Sequence, residues 1–347
     1  MSAQSEQKEL QKIRPQRVVY PILIGFSVIA YLFYKEFDPA VFRYGNIHFT
    51  DKAIFWLMLA FFCIIIRDVF YIIRLRVFSN NELNLRQAFR ITMLWEFTSS
   101  ITPAAFGGTT LAVVFIHKEG VSIGRSSTII MLTALLDELY FVLMFPLLLL
   151  FIGPGELFHI IGSAAWSYGI YTAVIIGYVL KLLWFLTICF GLFISPRGFG
   201  KLIYRLFHLP FLKRWKRGAG QTAIDLIKAS KEIRLKKFSF WWKTFLSTFI
   251  AWTSRYWIVN FLLLSFFFTD SHFLIFARQV VMYIVLMVSP TPGGSGIAEM
   301  MFNQYLGEFI PVAGFAVVLA LFWRLITYYP YLIIGFVLFV KWVNRKF

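Results

Sequence analysis

Long apolar runs separated by short polar segments divide this chain of 347 residues. A membrane span needs about 20 predominantly apolar residues, and six runs are long enough. They lie at 18–36, 53–73, 127–152, 166–194, 240–268 and 312–341. The pattern therefore predicts an all-α integral membrane protein with six transmembrane helices.

Two further apolar runs, at about 87–117 and 274–307, are interrupted near their middles by proline and glycine. The interruptions read TPAAFGG (102–108) and TPGGSG (291–296). Proline and glycine break helices, and the flanking halves are too short to cross a membrane. We therefore predict two re-entrant helical hairpins. The alternative is that the prolines only kink two packed helices, which gives eight full spans.

The predicted elements occur in the order span, span, hairpin, span, and this order appears twice. Residues 1–17 form a cytoplasmic tail, 18–152 the first repeat and 166–343 the second. The two repeats begin on opposite sides of the membrane, which makes an inverted-topology repeat. Such repeats are typical of transporters whose substrate site lies near the midplane, where broken helices meet.

The distribution of Lys and Arg orients these elements. Both termini, residues 74–90 and the loop 195–239 are basic, whereas 153–163 and 269–272 lack Lys and Arg. Residues 197–243 hold 13 Lys/Arg against two acidic residues, which is +11 of the net charge of +17. Basic loops face the cytoplasm, so we expect cytoplasmic termini and a loop that binds anionic lipid rather than nucleic acid. The expected location is the cell membrane, of the bacterial inner-membrane type, with multiple passes.

The composition excludes several other classes of protein. The chain is 59% hydrophobic and only 15% charged, whereas a soluble domain is about a quarter charged. The two cysteines form no CxxC motif, and the five histidines show no metal-ligand spacing. GxSxG, P-loop and HExxH motifs are absent from the sequence. We therefore expect no metal, no cofactor and no enzymatic activity.

Charged residues inside predicted spans are the candidates for function, because each one is costly in lipid unless it is paired. Arg255 and Arg324 lie near the middles of their spans, and a planar guanidinium suits the bidentate recognition of phosphate. Free N–H groups in a Gly-rich turn beside them could also face an anion. The alternative is that both arginines pair internally with Asp137, Glu138 or Glu299.

The acidic candidates have two interpretations each. Asp137 and Glu138 are about 100° apart on a helix, so only one can face a central cavity. The other would pair with an arginine or cap a hairpin, and either could couple transport to protons. Glu299 would close the second hairpin or meet a cationic group, unless it only stabilises a helix N-terminus. We expect Lys181 to extend to the membrane surface, outside the site.

Several motifs resemble those of one known family. They are TPAAFGG, HKEGVSIGRSS, LLDE, SPTPGGSGIAE and RLITYYPYL. Together they resemble the transmembrane, flippase-like domain of lysylphosphatidylglycerol synthases over residues 18–343. The resemblance implies a lipid flippase-type domain with two re-entrant hairpins around a central cavity. It implies site roles for these residues: Pro103, Gly107, Gly108, Asp137, Pro292, Gly293, Gly294, Glu299 and Arg324.

Two features depart from that family. Multi-domain relatives continue into a soluble aminoacyltransferase, whereas this chain ends at Phe347, so aminoacyl transfer is not expected. Charged residues often follow the first glycine pair in the family, and this chain has TTLAVV there. The first hairpin is therefore not expected to recognise a head group by charge.

The sequence favours a transporter that moves an anionic or lipid-linked head group between leaflets. The substrate would be a membrane phospholipid or a polyprenyl-phosphate-linked lipid, held between the hairpin tips and the intramembrane arginines. Glu138 and Arg255 join the family-derived residues as substrate-binding candidates. Two alternatives stay open: an integral-membrane enzyme acting on lipid-linked substrates, and a non-transporting subunit recruited through the basic loop. A homodimer also stays open.

Overall fold

The computed structural model of the chain describes residues 50–102, 108–160, 164–198, 233–287, 289, 291–312 and 314–346, with isolated positions 27, 34, 201, 205, 227, 230 and 231. The regular elements in these ranges are helical. The helices are α1 (Asp51–Phe78), α2 (Leu85–Ile101), α3 (Gly108–Lys118), α4 (Ile123–Ile152), α5 (Pro154–Leu157), α6 (Ala164–Cys189), α7 (Phe238–Phe266), α8 (His272–Met287), α9 (Ile297–Leu306), α10 (Phe315–Thr327) and α11 (Tyr329–Lys346). A π-helical turn follows α6, and a 3-10 turn follows α9.

Four stretches of the described chain are long and apolar enough to cross a membrane. They are Asp51–Phe78, Ile123–Ile152, Ser167–Ile194 and Phe315–Val343. These stretches match four of the predicted spans, and the all-α membrane architecture is confirmed. A fifth predicted span, at 240–268, is the 29-residue helix α7, whose many polar and aromatic side chains lower its hydropathy. The first predicted span, at 18–36, lies outside the described residues apart from two positions, so the count of six stays a prediction.

Helices α1 and α7 form a long antiparallel pair. Near the start of α1, Trp56 stacks on Phe261, with ring centroids 5.7 Å apart. Near its end, the guanidinium of Arg74 donates a hydrogen bond of 2.8 Å to the hydroxyl of Thr248. The two helices therefore run side by side for most of their length, and residues in the middle of each lie close together.

Helices α2 and α3 form a closed hairpin. A capping box at Asn84 begins α2, and the side chain satisfies an N–H group that the first helical turn leaves without a partner. At the tip, Gly108 lies so close to Ser99 that a β-carbon would overlap it. At the open end, Arg90 forms an ion pair of 2.8 Å with Glu119. Both ends of this hairpin therefore lie on the same side.

Helices α8 and α9 form a second hairpin of the same kind. At its open end, the buried guanidinium of Arg278 pairs with Glu308 at 2.6 Å. It also donates to the carbonyl oxygens of Tyr305, at 2.9 Å, and Glu156, at 2.8 Å. These contacts fix the start of α8 against the end of α9 and against the short helix α5.

The predicted span 312–341 consists of two helices. Helix α10 ends at Thr327, and Tyr328 leaves helical geometry, with φ −131° and ψ −57°. Pro330 follows in the first turn of α11, where its missing N–H group is tolerated. The break matters for the site because it turns the Tyr328 ring toward the hairpin tips.

Candidate functional site

The tips of the two hairpins touch. The backbone N–H of Gly293 donates a hydrogen bond of 3.4 Å to the carbonyl oxygen of Thr102. The hydroxyl of Tyr328 links both tips, because it donates to the carbonyl of Ser100 at 3.1 Å and accepts from the hydroxyl of Ser295 at 3.2 Å. Of the predicted residues at the first tip, Pro103 and Gly107 lie outside the described residues.

The N–H groups of the second tip are all engaged within the protein. Gly293 bonds to Thr102, as above. Gly294 and Ser295 donate to the carbonyls of Thr291 and Pro292, each at 3.1 Å. Gly296 donates to the carboxylate of Glu299 at 2.7 Å. The turn was a candidate for holding an anion through free N–H groups, and in this conformation its four successive N–H groups already have acceptors.

Arg324 and Glu299 form a buried ion pair behind this tip. The Nε of Arg324 donates to Glu299 at 2.7 Å, and the side chains are 6% and 2% exposed. The rest of the guanidinium lies 3.4 Å from the carbonyl oxygens of Gly293 and Gly294. Of the two alternatives for Arg324, internal pairing fits these contacts, because the side chain fixes the shape of the tip.

Asp137 and Glu138 point to different partners, as their helical separation requires. Asp137 accepts from Arg74 at 2.6 Å and from the indole N–H of Trp252 at 2.9 Å. Glu138 pairs with Lys181 at 2.7 Å, and both of these side chains are buried. Lys181 thus differs from the expectation that it extends to the membrane surface, because a buried carboxylate on α4 offers it a better partner than a long reach to water.

A second charged cluster joins α1, α2 and α11. Arg67 is buried, pairs with Asp68 at 2.9 Å and with Glu96, and donates to the hydroxyl of Tyr331 at 2.7 Å. That hydroxyl also bonds to Asp68 at 2.8 Å. The side chains of Asp68 and Glu96 keep 19% and 23% exposure, so the protein does not fully enclose this cluster.

Arg255 has no close polar partner in the described part of the chain, and its charge interacts with the carboxylate of Asp68 only at longer range. Its guanidinium carbon lies 5.8 Å from the ring of Trp252 and 5.9 Å from that of Tyr283, and it takes part in no hydrogen bond or ion pair. It is half-buried on α7. Arg255 and Arg324 looked alike in the sequence, and the structure separates them into an unpaired cation and a paired one.

Sequence reasoning missed the aromatic residues of the site. Tyr71 lies between two arginines, with the guanidinium carbons of Arg67 and Arg74 each 4.7 Å from its ring. The hydroxyls of Tyr328 and Tyr331 join the helices at the tips. Aromatic residues in apolar spans usually contribute only to hydrophobic packing. Their hydrogen bonds and contacts with cations therefore cannot be recognised from the sequence. One signal was present, because positions 67, 71 and 74 are spaced to share one face of α1.

Two other features of the described residues do not belong to this site. An apolar groove of about 460 Å³ lies along α1, and its lining offers no charged group to a head group. It is lined by Ile54, Leu57, Met58, Phe61, Phe62 and Ile65. Within the described ranges, no three His, Cys, Asp or Glu side chains lie together in a way that could hold a metal ion.

Comparison with known proteins places this architecture in a family. The family described as "Lysylphosphatidylglycerol synthase TM region" matches residues 18–335. The chain belongs to this family. A relative, a "UPF0104 membrane protein" of Archaeoglobus fulgidus, is 27% identical over 333 residues, which cover 90% of this chain and 93% of that protein. No solved structure matches the chain.

As a member of the lysylphosphatidylglycerol synthase TM-region family, the chain is a multi-pass membrane protein. The match includes both hairpins, their tips and every charged residue of the clusters described above, and it ends within α11. The resemblance seen in the sequence motifs is therefore confirmed at the level of the family.

Proposed function

We propose that this protein is a flippase-type transporter that moves an anionic or lipid-linked head group between the two leaflets of the cell membrane. The observation that carries the proposal is the unpaired, half-buried Arg255 in the middle of α7, within a region of partly exposed charged side chains. A cation at membrane depth without a protein partner is costly unless water or a ligand compensates it. A phosphate-bearing head group would supply the negative charge that compensates Arg255.

The dimensions of the hairpins support a re-entrant arrangement. Helix α3 has 11 residues and α9 has 10, which at 1.5 Å per residue gives about 15 to 17 Å. The hydrocarbon core is about 30 Å thick, so neither helix can cross it. Each hairpin is also closed at its open end by an Arg–Glu pair, as expected if both arms emerge on one side.

Corresponding contacts in the two hairpins support an inverted repeat. Arg90 and Arg278, the arginines of the two closing pairs, are 188 positions apart in the chain. Their partners, Glu119 and Glu308, are 189 apart. The tip threonines, Thr102 and Thr291, are also 189 apart. Both hairpins are closed by an Arg–Glu pair, and the two pairs are separated by nearly the same number of positions in the chain. This is the arrangement expected if one structural unit had been duplicated.

The contact between the tips suggests how access could alternate. The second tip is held rigid by Arg324 and Glu299, whereas the two tips are joined in the described residues by a few weak hydrogen bonds. Rigid hairpins with a weak contact between them can separate without unfolding. In this proposal the repeats rock against each other, and the tips part to admit a head group from one side at a time.

The proposal includes the expected setting of the protein. Both termini and the basic loop 195–239, which lies mostly outside the described residues, would face the cytoplasm, with anionic lipid bound at the loop. The substrate would be a phospholipid or a polyprenyl-phosphate-linked lipid. The protein would act as a transporter and not as an enzyme.

Reconstituted liposomes test this proposal. Fluorescent lipids with anionic head groups, or a fluorescent polyprenyl phosphate, are placed in both leaflets, and the inner-leaflet fraction that becomes accessible to dithionite is followed over time. We expect the wild-type protein to expose the inner-leaflet lipid and Arg255→Ala to slow this exposure about tenfold or more. Arg125→Ala is the matched control, since Arg125 pairs with Glu82 at an exposed position.

Two outcomes would count against parts of the proposal. A wild-type protein that moves no anionic lipid or polyprenyl phosphate faster than protein-free liposomes do would overturn the transport function. An Arg255→Ala variant that transports at the wild-type rate while remaining folded would remove Arg255 from the site but leave transport standing.

A further inference from the structure

Around Trp252, the ring that Arg255 approaches, three tyrosine hydroxyls also lack a hydrogen-bond partner in the described residues. Tyr256 is 3% exposed, and its hydroxyl is fully buried without an acceptor or donor. The hydroxyls of Tyr71 and Tyr283 likewise take part in no hydrogen bond with the described chain. Buried polar groups are nearly always hydrogen-bonded, because an unmade bond costs the full desolvation of the group. The buried hydroxyl of Tyr256 therefore indicates a missing partner. Tyr71 and Tyr283 are partly exposed, so their hydroxyls remain accessible to a ligand.

These hydroxyls belong to residues packed around one indole ring. The centroid of Trp252 lies 6.4 Å from that of Tyr71, 5.8 Å from that of Tyr256 and 4.8 Å from that of Tyr283. Arg255 touches the same ring and the ring of Tyr283. The four side chains come from α1, α7 and α8, so three helices contribute to one small region.

The chemistry of this region favours an oxyanion as the missing partner. A phenol can donate its proton, and a guanidinium only donates, so the four groups together offer donors. The neighbouring cations Arg67 and Arg74 already form ion pairs with carboxylates, whereas Arg255 forms none among the described residues and interacts with the carboxylate of Asp68 only at longer range. An anion here would gain charge-assisted hydrogen bonds in a region of low dielectric.

We propose that Arg255, Tyr71, Tyr256 and Tyr283 form a phosphate-binding subsite, and that the hairpin tips do not bind the phosphate. The four N–H groups of the second tip are occupied, as is the guanidinium of Arg324. The tips then act as the gate, and the donor cluster between α1, α7 and α8 acts as the binding site. The inference rests on the proposed function for its place in transport, but the binding can be measured without transport.

Binding is measured by isothermal titration on the full-length protein in a neutral detergent. The probes are dihexanoyl phosphatidic acid, inorganic phosphate and dihexanoylglycerol, which has the same chains without phosphate. We expect dihexanoyl phosphatidic acid to bind, and dihexanoylglycerol to bind at least about tenfold more weakly. Inorganic phosphate that competes with the phosphate lipid at similar concentration would assign the site to the free ion rather than to a lipid.

Single-hydroxyl variants then locate the site. Tyr71→Phe, Tyr256→Phe and Tyr283→Phe keep the aromatic packing and remove one donor each. A hydrogen bond to a charged group contributes enough for each change to weaken binding by about 10- to 150-fold. Arg255→Gln should weaken it more, and Arg255→Lys should recover part of the loss. The control is Tyr140→Phe, because Tyr140 packs on the same Trp252 while its hydroxyl already contacts Thr253.

The outcomes separate this inference from the proposed function. If the wild type moves lipids in liposomes but the three Tyr→Phe variants bind dihexanoyl phosphatidic acid as it does, the subsite is wrong and transport stands. If the variants lose binding while the wild type moves no lipid, the subsite stands and the transport proposal fails. Equal losses in Tyr140→Phe and Tyr283→Phe would overturn the subsite, because packing and not the hydroxyls would then explain the binding.

Discussion

The backbone N–H of Gly293 donates a hydrogen bond to the carbonyl oxygen of Thr102, and this contact joins two hairpins that lie 189 positions apart in the chain. Tyr328 covers the junction, with its ring over Arg324 at 4.7 Å and its hydroxyl between Ser100 and Ser295. The neighbours of Gly293 leave no room for a side chain. Substitution of Gly293 is therefore the most direct test of the contact between the two tips.

Gly293→Ala is expected to disrupt the junction. Gly293 has φ +58°, and a β-carbon there would lie 2.8 Å from the carbonyl oxygen of Ser100 and 2.5 Å from the ring of Tyr328. The left-handed backbone costs an L-residue about 1–2 kcal/mol, and overpacking adds about 1–3 kcal/mol. We expect thermal unfolding in detergent to show this loss. Gly155→Ala is the control, because no atom lies within 4 Å of its β-carbon position, and an equal loss there would contradict the contact.

Arg324→Ala should destabilise the protein by about 3–5 kcal/mol, because it leaves the buried carboxylate of Glu299 without its cation. The double variant Arg324→Ala/Glu299→Ala removes both charges and should be less destabilised than the sum of the single variants. Unfolding midpoints of the four proteins give the coupling energy of the pair. The exposed pair Arg125–Glu82 provides the comparison, and Arg125→Ala should cost at most about 1 kcal/mol. Additive effects of Arg324→Ala and Glu299→Ala would mean that the pair does not form.

The Lys181–Glu138 pair distinguishes a structural role from proton coupling. Lys181→Met leaves a buried carboxylate and should cost about 3–5 kcal/mol. Replacing both residues, in Lys181→Met/Glu138→Leu, removes the unpaired charge and should restore most of the stability. If the pair is structural, the double variant should also transport in the liposome assay at close to the wild-type rate. A stable double variant without transport would instead show that Glu138 takes part in coupling.

The two Arg–Glu pairs that close the hairpins should differ in strength because Arg278 makes more contacts than Arg90. Arg278 is 1% exposed and holds Glu308 and two carbonyl oxygens, so Arg278→Ala should cost about 3–5 kcal/mol. Arg90 pairs with Glu119, whose buried carboxylate also accepts from the side chain of Gln87 at 3.3 Å, so Arg90→Ala should cost less, about 1.5–3 kcal/mol. Limited proteolysis between α8 and α9, compared with that between α2 and α3, reports the opening of each hairpin. A larger effect of Arg90→Ala than of Arg278→Ala would contradict this argument.

Much of the fold could be predicted from the sequence because lipid imposes a strong local rule. The long apolar runs predicted α1, α4 and α6 with bounds close to the observed ones. The interruptions by Thr-Pro and glycine predicted where the arms of the two hairpins end. The break at Tyr328 within 312–341 was missed, since Pro330 in an apolar run is compatible with either a kinked helix or two helices. That choice depends on what packs against Tyr328, and Tyr328 contacts the tips of both hairpins.

The candidate site was predictable only as a set of charged residues. Arg255, Arg324, Asp137 and Glu138 were all named from their depth in apolar runs. Their partners could not be, because ion pairs such as Lys181–Glu138 join residues 43 positions apart on different helices. Among the uncharged members of the site, Tyr256 and Tyr283 carried no signal beyond ordinary aromatic packing, and Tyr71 carried only its spacing from Arg67 and Arg74 on α1.

The sequence by itself determined that this is an all-α membrane protein, where the arms of the two hairpins end and which charges fall within apolar runs, because hydrophobicity and backbone chemistry act locally along the chain. The tertiary structure alone decided that the two tips touch and that Arg324 is paired while Arg255 is not. Pairing depends on which helices lie side by side, and the energy of a buried charge depends on the groups within a few ångströms of it. Two arginines in similar sequence contexts can therefore have opposite roles.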